Sequence, residues 1–197
     1  MNFFEIIKKH KSVSRFSDKP VPKDKLERIN KAAAQTNNGA KSALRIVLVS
    51  NPRKRHDIRV AAEKVEKAYF MGAKMPNADS NEVNDSAWQM PFLEEAPHLI
   101  IVCAQSGQPY WAASTWLAVG NLILAANKEG LGTMCFAPTL ATYLHRILNI
   151  PPRFIPVAVV PIGYSAEELF PIVKPEEEKI LKSLFSGRYT WKTPEGQ

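Results

Sequence analysis

The stretch between Tyr110 and Lys128 constrains the fold more than any other part of the chain. Apolar residues occupy nearly all of its positions instead of a single stripe, which is typical of a helix that is buried on most of its surface. Its most apolar part, Trp111 to Ala126, holds 16 residues and is interrupted by Ser114, Thr115, Gly120 and Asn121, so it is too short and too mixed to span a bilayer. We therefore predict a central core helix that ends at Gly130, because glycine is a favourable C-terminal cap.

Length and composition indicate one soluble domain over residues 1–197, with a polar C-terminal arm at about 186–197. The N-terminus has no secretory signal, and Cys103 and Cys135 provide neither a disulfide framework nor metal-ligand spacing. We therefore expect a cytoplasmic protein without a metal site and without a membrane partner. The net charge of +7 comes without an aromatic-basic RNA motif or a DNA-reading helix, so we expect no nucleic-acid partner.

The rest of the chain reads as a mixed α+β sheet with helices on both sides, without clean βαβ alternation. Asn2 and Glu5 have the spacing of a capping box at the first helix. Apolar runs predict strands over 44–49, 98–104 and 155–162, with a short strand over 133–137. One helical pattern begins after Pro22, and three others cover 54–70, 139–148 and 176–185.

Five segments, in order, resemble the nitroreductase superfamily. They are His10-Lys11-Ser12-Val13-Ser14-Arg15-Phe16 with Pro20-Val21-Pro22, Ala96-Pro97, Asn121-Leu122-Ile123-Leu124-Ala125-Ala126 with Gly130-Leu131-Gly132-Thr133, Leu148-Asn149-Ile150-Pro151, and Gly163-Tyr164. Within the superfamily the order of His56-Asp57-Ile58-Arg59, Tyr69-Phe70-Met71, Trp88 and Glu94-Glu95-Ala96-Pro97 resembles the iodotyrosine deiodinase branch. The resemblance implies a three-layer α+β fold, with a mixed and mainly antiparallel sheet flanked by helices. It also implies an intertwined homodimer that holds FMN at its interface, with the central helix across the two-fold axis.

The resemblance assigns cofactor binding to four stretches. They hold His10, Lys11, Ser12, Ser14 and Arg15; Asn37, Asn38 and Ser42; Cys135, Phe136 and Ala137; and Lys174. The basic run would contact the phosphate, since a phosphate dianion favours several charge-assisted donors. Alternatives that remain open are a solvated basic helix end for the first stretch and a polar turn around Asn38-Gly39 for the second. We interpret the Cys135 thiol as a small buried hydrophobe and not as a nucleophile.

The substrate side departs from the deiodinase branch. Its residues for the amino-acid zwitterion would fall at Val65, Tyr69 and Met90, so only the tyrosine is retained and iodotyrosine is not the expected substrate. We expect Tyr69, Trp88, Met90 and Trp111, together with Phe92, to form an apolar lid over a flat aromatic acceptor. Packing of the same residues in a dimer interface remains an alternative.

The predicted function is that of an FMN-dependent oxidoreductase of nitroreductase type. NAD(P)H would reduce the flavin, and an aromatic or quinone-like acceptor would reoxidise it in ping-pong fashion, with no catalytic group beyond the flavin. Two alternatives stay open: a non-catalytic or flavin-free ligand-binding homodimer on the same fold, and a flavin enzyme of a different reaction such as reductive dehalogenation.

Overall fold

The computed structural model describes residues 2–10, 12–35, 44–72, 88–107 and 109–166. Several predicted features lie outside these residues. They are the cofactor candidates Lys11, Asn37, Asn38, Ser42 and Lys174, the tail helix over 176–185, and the arm at 186–197.

A four-stranded sheet forms the centre of the fold. Its strands are β1 (Leu44–Val49), β2 (His98–Gln105), β3 (Gly132–Thr133) and β4 (Phe154–Gly163), in the order β1-β2-β4-β3. All three strand pairs are antiparallel, and a single parallel bridge joins Ser12 to Thr133. The expected mixed, mainly antiparallel sheet is therefore confirmed. Pro156 is accommodated in β4 where the register with β2 shifts between Val102 and Cys103, because a bulge tolerates the missing N–H.

Helices cover both faces of the sheet. They are α1 (Phe3–Lys9), α2 (Lys23–Ala33), α3 (Pro52–Gly72), α4 (Phe92–Glu95), α5 (Trp111–Lys128) and α6 (Thr142–Leu148). Asn2 and Glu5 form the expected capping box at α1. None of these helices is long and apolar enough to cross a membrane, within the residues that the structure describes.

Strand β2 explains why the fold has three layers. Its residues Leu99, Ile101 and Cys103 pack into one core cluster with residues of α3, α4 and α6. The alternate residues Ile100 and Val102 pack into a second cluster with residues of α2 and α5. Because neither face of this strand is exposed to solvent, neither needs polar side chains, which accounts for its unbroken apolar run.

The C-terminal end of α5 follows the sequence-based prediction closely. Gly130 has a positive φ of 76°, and the N–H groups of Gly130 and Leu131 donate to the carbonyl oxygens of Asn127 and Ala126 at 3.0 and 2.9 Å. This pair of hydrogen bonds is a Schellman motif, in which glycine accepts the left-handed conformation at no steric cost.

Two local predictions need correction, and one short helix was missed. The strand expected over 133–137 is only Gly132–Thr133, followed by an isolated bridge between Phe136 and Val159. The helix expected from Thr139 begins at Thr142, and the N–H and hydroxyl of Thr139 bind the carboxylate of Glu66. The short helix α4 was not expected from the sequence.

Candidate functional site

Two segments that are far apart in sequence meet along the sheet edge at β3. The backbone N–H of Val13 donates to the carbonyl oxygen of Thr133 at 2.9 Å, beside the bridge between Ser12 and Thr133. Farther along, the N–H of Ala166 donates to the carbonyl oxygen of Arg15 at 3.0 Å. The chain over 12–16 is therefore attached to β3 and to the segment after β4, next to the loop that follows β3.

The contact between this segment and β3 is close enough to require glycine. A Cβ atom added at Gly132 would lie 2.5 Å from Cγ2 of Val13 and 2.9 Å from its Cβ. Val13 and Phe16 are buried, whereas Ser12 and Arg15 are exposed. Because neighbouring residues of an extended segment point to opposite sides, burial of Val13 turns Ser12 outward.

The basic part of the segment starts at the end of α1. His10 is the C-cap residue of α1, and its N–H donates to the carbonyl oxygen of Ile7 at 3.2 Å. Arg15 pairs with a carboxylate, since its Nε donates to Oε2 of Glu95 at 3.1 Å. Its side chain is 65% exposed, so water screens this pair strongly. His10, Ser12, Ser14 and Arg15 lie on one short segment, but Arg15 alternates with Ser12 and Ser14 and its side chain is directed to Glu95.

The loop after β3 carries the second group of cofactor candidates. Phe136 exchanges two backbone hydrogen bonds with Val159, at 2.9 and 2.8 Å, and its side chain is half-buried. Cys135 and Ala137, on either side, are exposed in the single chain. The interpretation of Cys135 as a buried hydrophobe is therefore wrong. The surrounding protein still raises the pKa of its thiol by removing water from the thiolate.

Aromatic side chains link the end of α3 to the segment that begins at Trp88. Phe70, next to Tyr69, stacks on Trp88 with ring centroids 5.5 Å apart. Met90 and Phe92 pack against the core cluster that also contacts Phe136, and the Phe92 and Phe136 rings meet edge to face at 6.5 Å. An apolar path of side chains thus runs from α3 to the loop after β3.

Trp111 is the exception among the substrate candidates. It begins α5, which packs in the other helical layer together with α2. Trp111 thus lies on a different helix from Tyr69 and on a different segment from Trp88 and Met90, and the five-residue lid stays a prediction.

The outward face of α5 is apolar and exposed. Thr115, Ala118 and Leu122 face the core, and on the opposite side Trp116 and Leu117 are 45% and 50% exposed. Ala113 and Gly120 lie on the same outward face and are also exposed. Contiguous apolar surface of this kind on a helix usually marks an interaction site.

Two functional candidates were missed from the sequence. Glu63 accepts the backbone N–H of Met90 at 2.7 Å, and Glu66 accepts the N–H and hydroxyl of Thr139 at 2.8 and 2.6 Å. One signal was available, because Glu66 follows Ile58 and Ala62 at four-residue spacing and so places a carboxylate on the buried face of α3.

The donors on the segment over 10–15 fit a phosphate-bearing group. An imidazole, hydroxyls and a guanidinium are the side chains that bind phosphate through charge-assisted hydrogen bonds. The exposed Cys135 and Ala137 leave a small-residue surface next to them, against which a flat ring can lie closely. By contrast, a cavity of about 380 Å³ at the start of α3 is lined mostly by charged side chains and by none of the cofactor candidates.

Comparisons with known proteins agree with this fold. The sequence model of the Nitroreductase family matches residues 7–164 of this chain. An iodotyrosine deiodinase of Thermotoga neapolitana is 29% identical, covering 82% of this chain and 87% of the relative. One of Haliscomenobacter hydrossis is 31% identical, covering 84% and 80% respectively. The crystal structure of an oxidised iodotyrosine deiodinase bound to FMN and 3-iodo-L-tyrosine has a TM-score of 0.73 at 27% identity, covering 88% of this chain and 98% of that one.

Proposed function

The chain belongs to the nitroreductase family, and from this premise we propose that it is an FMN-dependent oxidoreductase that uses NAD(P)H to reduce an aromatic or quinone-like acceptor. The observation that carries the proposal is the meeting of two separate segments at β3. His10, Ser12, Ser14 and Arg15 would supply donors to a phosphate there, on a segment whose backbone is attached to β3 just before the loop that holds Cys135–Ala137.

The protein's own groups would bind and orient the cofactor. His10, Ser12 and Arg15 would hold the phosphate, and the exposed backbone around Cys135 would lie along the ring, where an N–H can serve a ring nitrogen. FMN held by these residues would supply the redox chemistry that links a hydride donor to an electron acceptor. Lys11, Asn37, Asn38, Ser42 and Lys174 remain proposed contacts.

The acceptor is proposed to be flat and apolar. Phe92 meets Phe136 edge to face, Met90 packs against the same core cluster, and Trp88 adds an indole ring stacked on Phe70. Val65 and Met90 stand at two of the three positions that the deiodinase resemblance assigns to the amino-acid zwitterion, and neither can pair with a charge. A charged amino-acid group would therefore lose its partners at this site, which favours an acceptor without one.

A homodimer completes the proposed site. The outward face of α5, with Trp116 and Leu117, is the surface that a second copy would cover. We also propose that a two-fold arrangement brings Trp111 of one protomer towards the site of the other. We further propose a cytoplasmic location, since Cys103 and Cys135 are both free thiols.

Reductive dehalogenation is the second candidate. It is favoured by the names of the relatives, which are iodotyrosine deiodinases, and by retention of Tyr69. It is opposed by the loop Cys135–Ala137, which has no hydroxyl to offer to the ring. Anaerobic turnover with a halogenated phenol and with a nitroaromatic compound, compared under the same reductant, separates the two candidates.

FMN titration of the purified protein tests the main proposal. We expect saturable quenching of flavin fluorescence, followed by bleaching of the flavin absorbance when NADH or NADPH is added without oxygen. Ser12→Ala should weaken FMN binding about tenfold, the value of one hydrogen bond to a charged group, while Ser106→Ala on an exposed turn should not. A wild-type protein that binds no FMN would instead support the flavin-free homodimer.

A further inference from the structure

Two glutamates on one face of α3 hold the backbones of the two segments that flank the proposed site. Glu63 accepts the N–H of Met90 through Oε1 at 2.7 Å. Glu66 accepts the N–H of Thr139 through Oε1 at 2.8 Å and its hydroxyl through Oε2 at 2.6 Å. Since the two glutamates are three residues apart on a helix, they are neighbours on the same face.

Glu66 is a costly residue at its position. It is only 4% exposed, and a carboxylate in such surroundings is tolerated only when hydrogen bonds satisfy it. The nearby Tyr143 also responds to it, because burial and then the charge of Glu66 raise the pKa of the phenol. An apolar side chain would continue the stripe of Ile58 and Ala62 and would avoid this cost. The buried carboxylate of Glu66 is therefore better explained by its fixing the position of its hydrogen-bond partners than by any gain in stability.

Glu63 is fixed from behind by Arg59. Nη1 of Arg59 donates to Oε2 of Glu63 at 2.8 Å, while its Nε donates to Oε2 of Glu94 at 2.6 Å. The second oxygen of Glu63 is thereby left directed at Met90. The segment that begins at Trp88 and runs into α4 is thus attached to α3 at Met90 and again at Glu94.

We propose that Glu66 positions the loop that faces the cofactor and Glu63 positions the segment that faces the electron acceptor, so that α3 sets the spacing between the two. The inference rests on the proposed function. Thr139 lies two residues after Ala137, and Met90 is itself a substrate candidate. Neither glutamate is a catalytic residue, because each acts on a backbone N–H and not on the reacting atoms.

Hydrogen exchange in the flavin-free protein tests the two contacts directly. Glu66→Gln should speed exchange in peptides over 138–142 about tenfold or more, because the amide of Thr139 loses its charged acceptor. Glu63→Gln should do the same over 88–93. Each variant should leave the other peptide within about twofold of wild type. Glu27→Gln, on the exposed side of α2, is the matched control and should change neither.

Functional readouts then separate positioning from simple stability. At a temperature well below unfolding, Glu66→Gln should raise the Kd for FMN about tenfold and speed alkylation of Cys135. Glu63→Gln should raise the KM for 1,3-dinitrobenzene with little change in the Kd for FMN. Thr139→Val, which removes only the hydroxyl, should shift the FMN Kd in the same direction by less, and Thr139→Ser should restore wild-type behaviour. These variants keep the test decisive if Glu66→Gln fails to fold.

The inference is overturned if both glutamate variants lower the unfolding temperature but leave the Kd for FMN and the KM for the acceptor unchanged. It is equally overturned if each variant changes the Kd and the KM by the same factor. It is also overturned if the exchange of both peptides rises together in each variant. A wild-type protein that binds no FMN refutes the proposed function instead, and in that case the exchange experiment still decides whether the two glutamates hold their segments independently.

Discussion

Gly132→Ala is the substitution with the clearest structural consequence. The added Cβ would lie 2.5, 2.9 and 3.2 Å from Cγ2, Cβ and Cγ1 of Val13, whereas carbon atoms pack at about 3.5–4.0 Å. Rotation about χ1 of Val13 cannot relieve the contact, because Cβ does not move in that rotation. Val13 is also fully buried and bonded to Thr133 through its N–H. The backbone over 12–14 must therefore move away from β3.

The expected magnitude follows from two opposing effects. Overpacking in a buried site costs about 1–3 kcal/mol, and the lower entropy of the unfolded chain returns about 0.4–1 kcal/mol when alanine replaces glycine. We expect a net loss of about 1–2 kcal/mol in the free energy of unfolding, or about 3–6 °C in Tm for a domain of this size. Because Ser12 is in the displaced segment, FMN affinity should fall as well.

The assay is a double-mutant cycle measured by denaturant unfolding and FMN titration. Val13→Ala removes both γ carbons and leaves only the contact at 2.9 Å, so Gly132→Ala should cost about 1 kcal/mol less in that background. Gly72→Ala is the control, since an added Cβ there meets nothing within 4 Å. The reasoning is refuted if Gly132→Ala keeps wild-type stability and FMN affinity, or if its cost is the same with and without the valine side chain.

Three further outcomes follow. If the chain forms the proposed dimer, Leu117→Glu on the outward face of α5 should convert it to monomer in sedimentation equilibrium, while Val60→Glu, at a similarly exposed residue of α3, should not; equal behaviour would exclude α5 as the interface. The pKa of His98 is lowered from 6.5 by burial and then by the charge of Arg55, so the fold favours the neutral ring. The contribution of the neutral His98 ring to the free energy of unfolding should be fully present above pH about 6.5 and should be lost as pH falls through the folded pKa. Thermal unfolding of His98→Gln should not show this loss. Iodoacetamide should label Cys135 slowly at neutral pH, since the pKa of its thiol is raised, and FMN should protect it, which peptide mass spectrometry can follow; rapid labelling unaffected by FMN would contradict the proposed position of the loop.

The elements that could be predicted from the sequence are those with a local cause. The unbroken apolar run of β2 reports burial on two faces, and the structure places a separate core cluster on each. Gly130 reports the end of α5 because a positive φ is needed within one turn of the helix. Such features depend on neighbours close in sequence, so a pattern of residue types is enough to find them.

The contacts around the site have no such local cause. Glu63 and Glu66 bind groups 27 and 73 residues away, and Arg15 binds Glu95, 80 residues away. Their partners are decided by how the layers are stacked, which spacing along the chain does not report. The layer in which Trp111 lies could not be predicted for the same reason, because a helical pattern does not specify which face of the sheet the helix covers.

The amphipathic division of α5 connects the proposed dimer to the proposed cofactor site. Its core-facing residues are buried within one chain, whereas Trp116 and Leu117 on its outer face are exposed. The helix also leads through Gly130 directly into β3, against which the segment carrying Ser12 is attached. A second copy packed on α5 would therefore restrain the same strand that supports the phosphate donors. Because a group that binds only the assembled form stabilises it, FMN binding and dimerisation should strengthen each other, and loss of the α5 contact should weaken FMN binding without altering any residue that touches the cofactor.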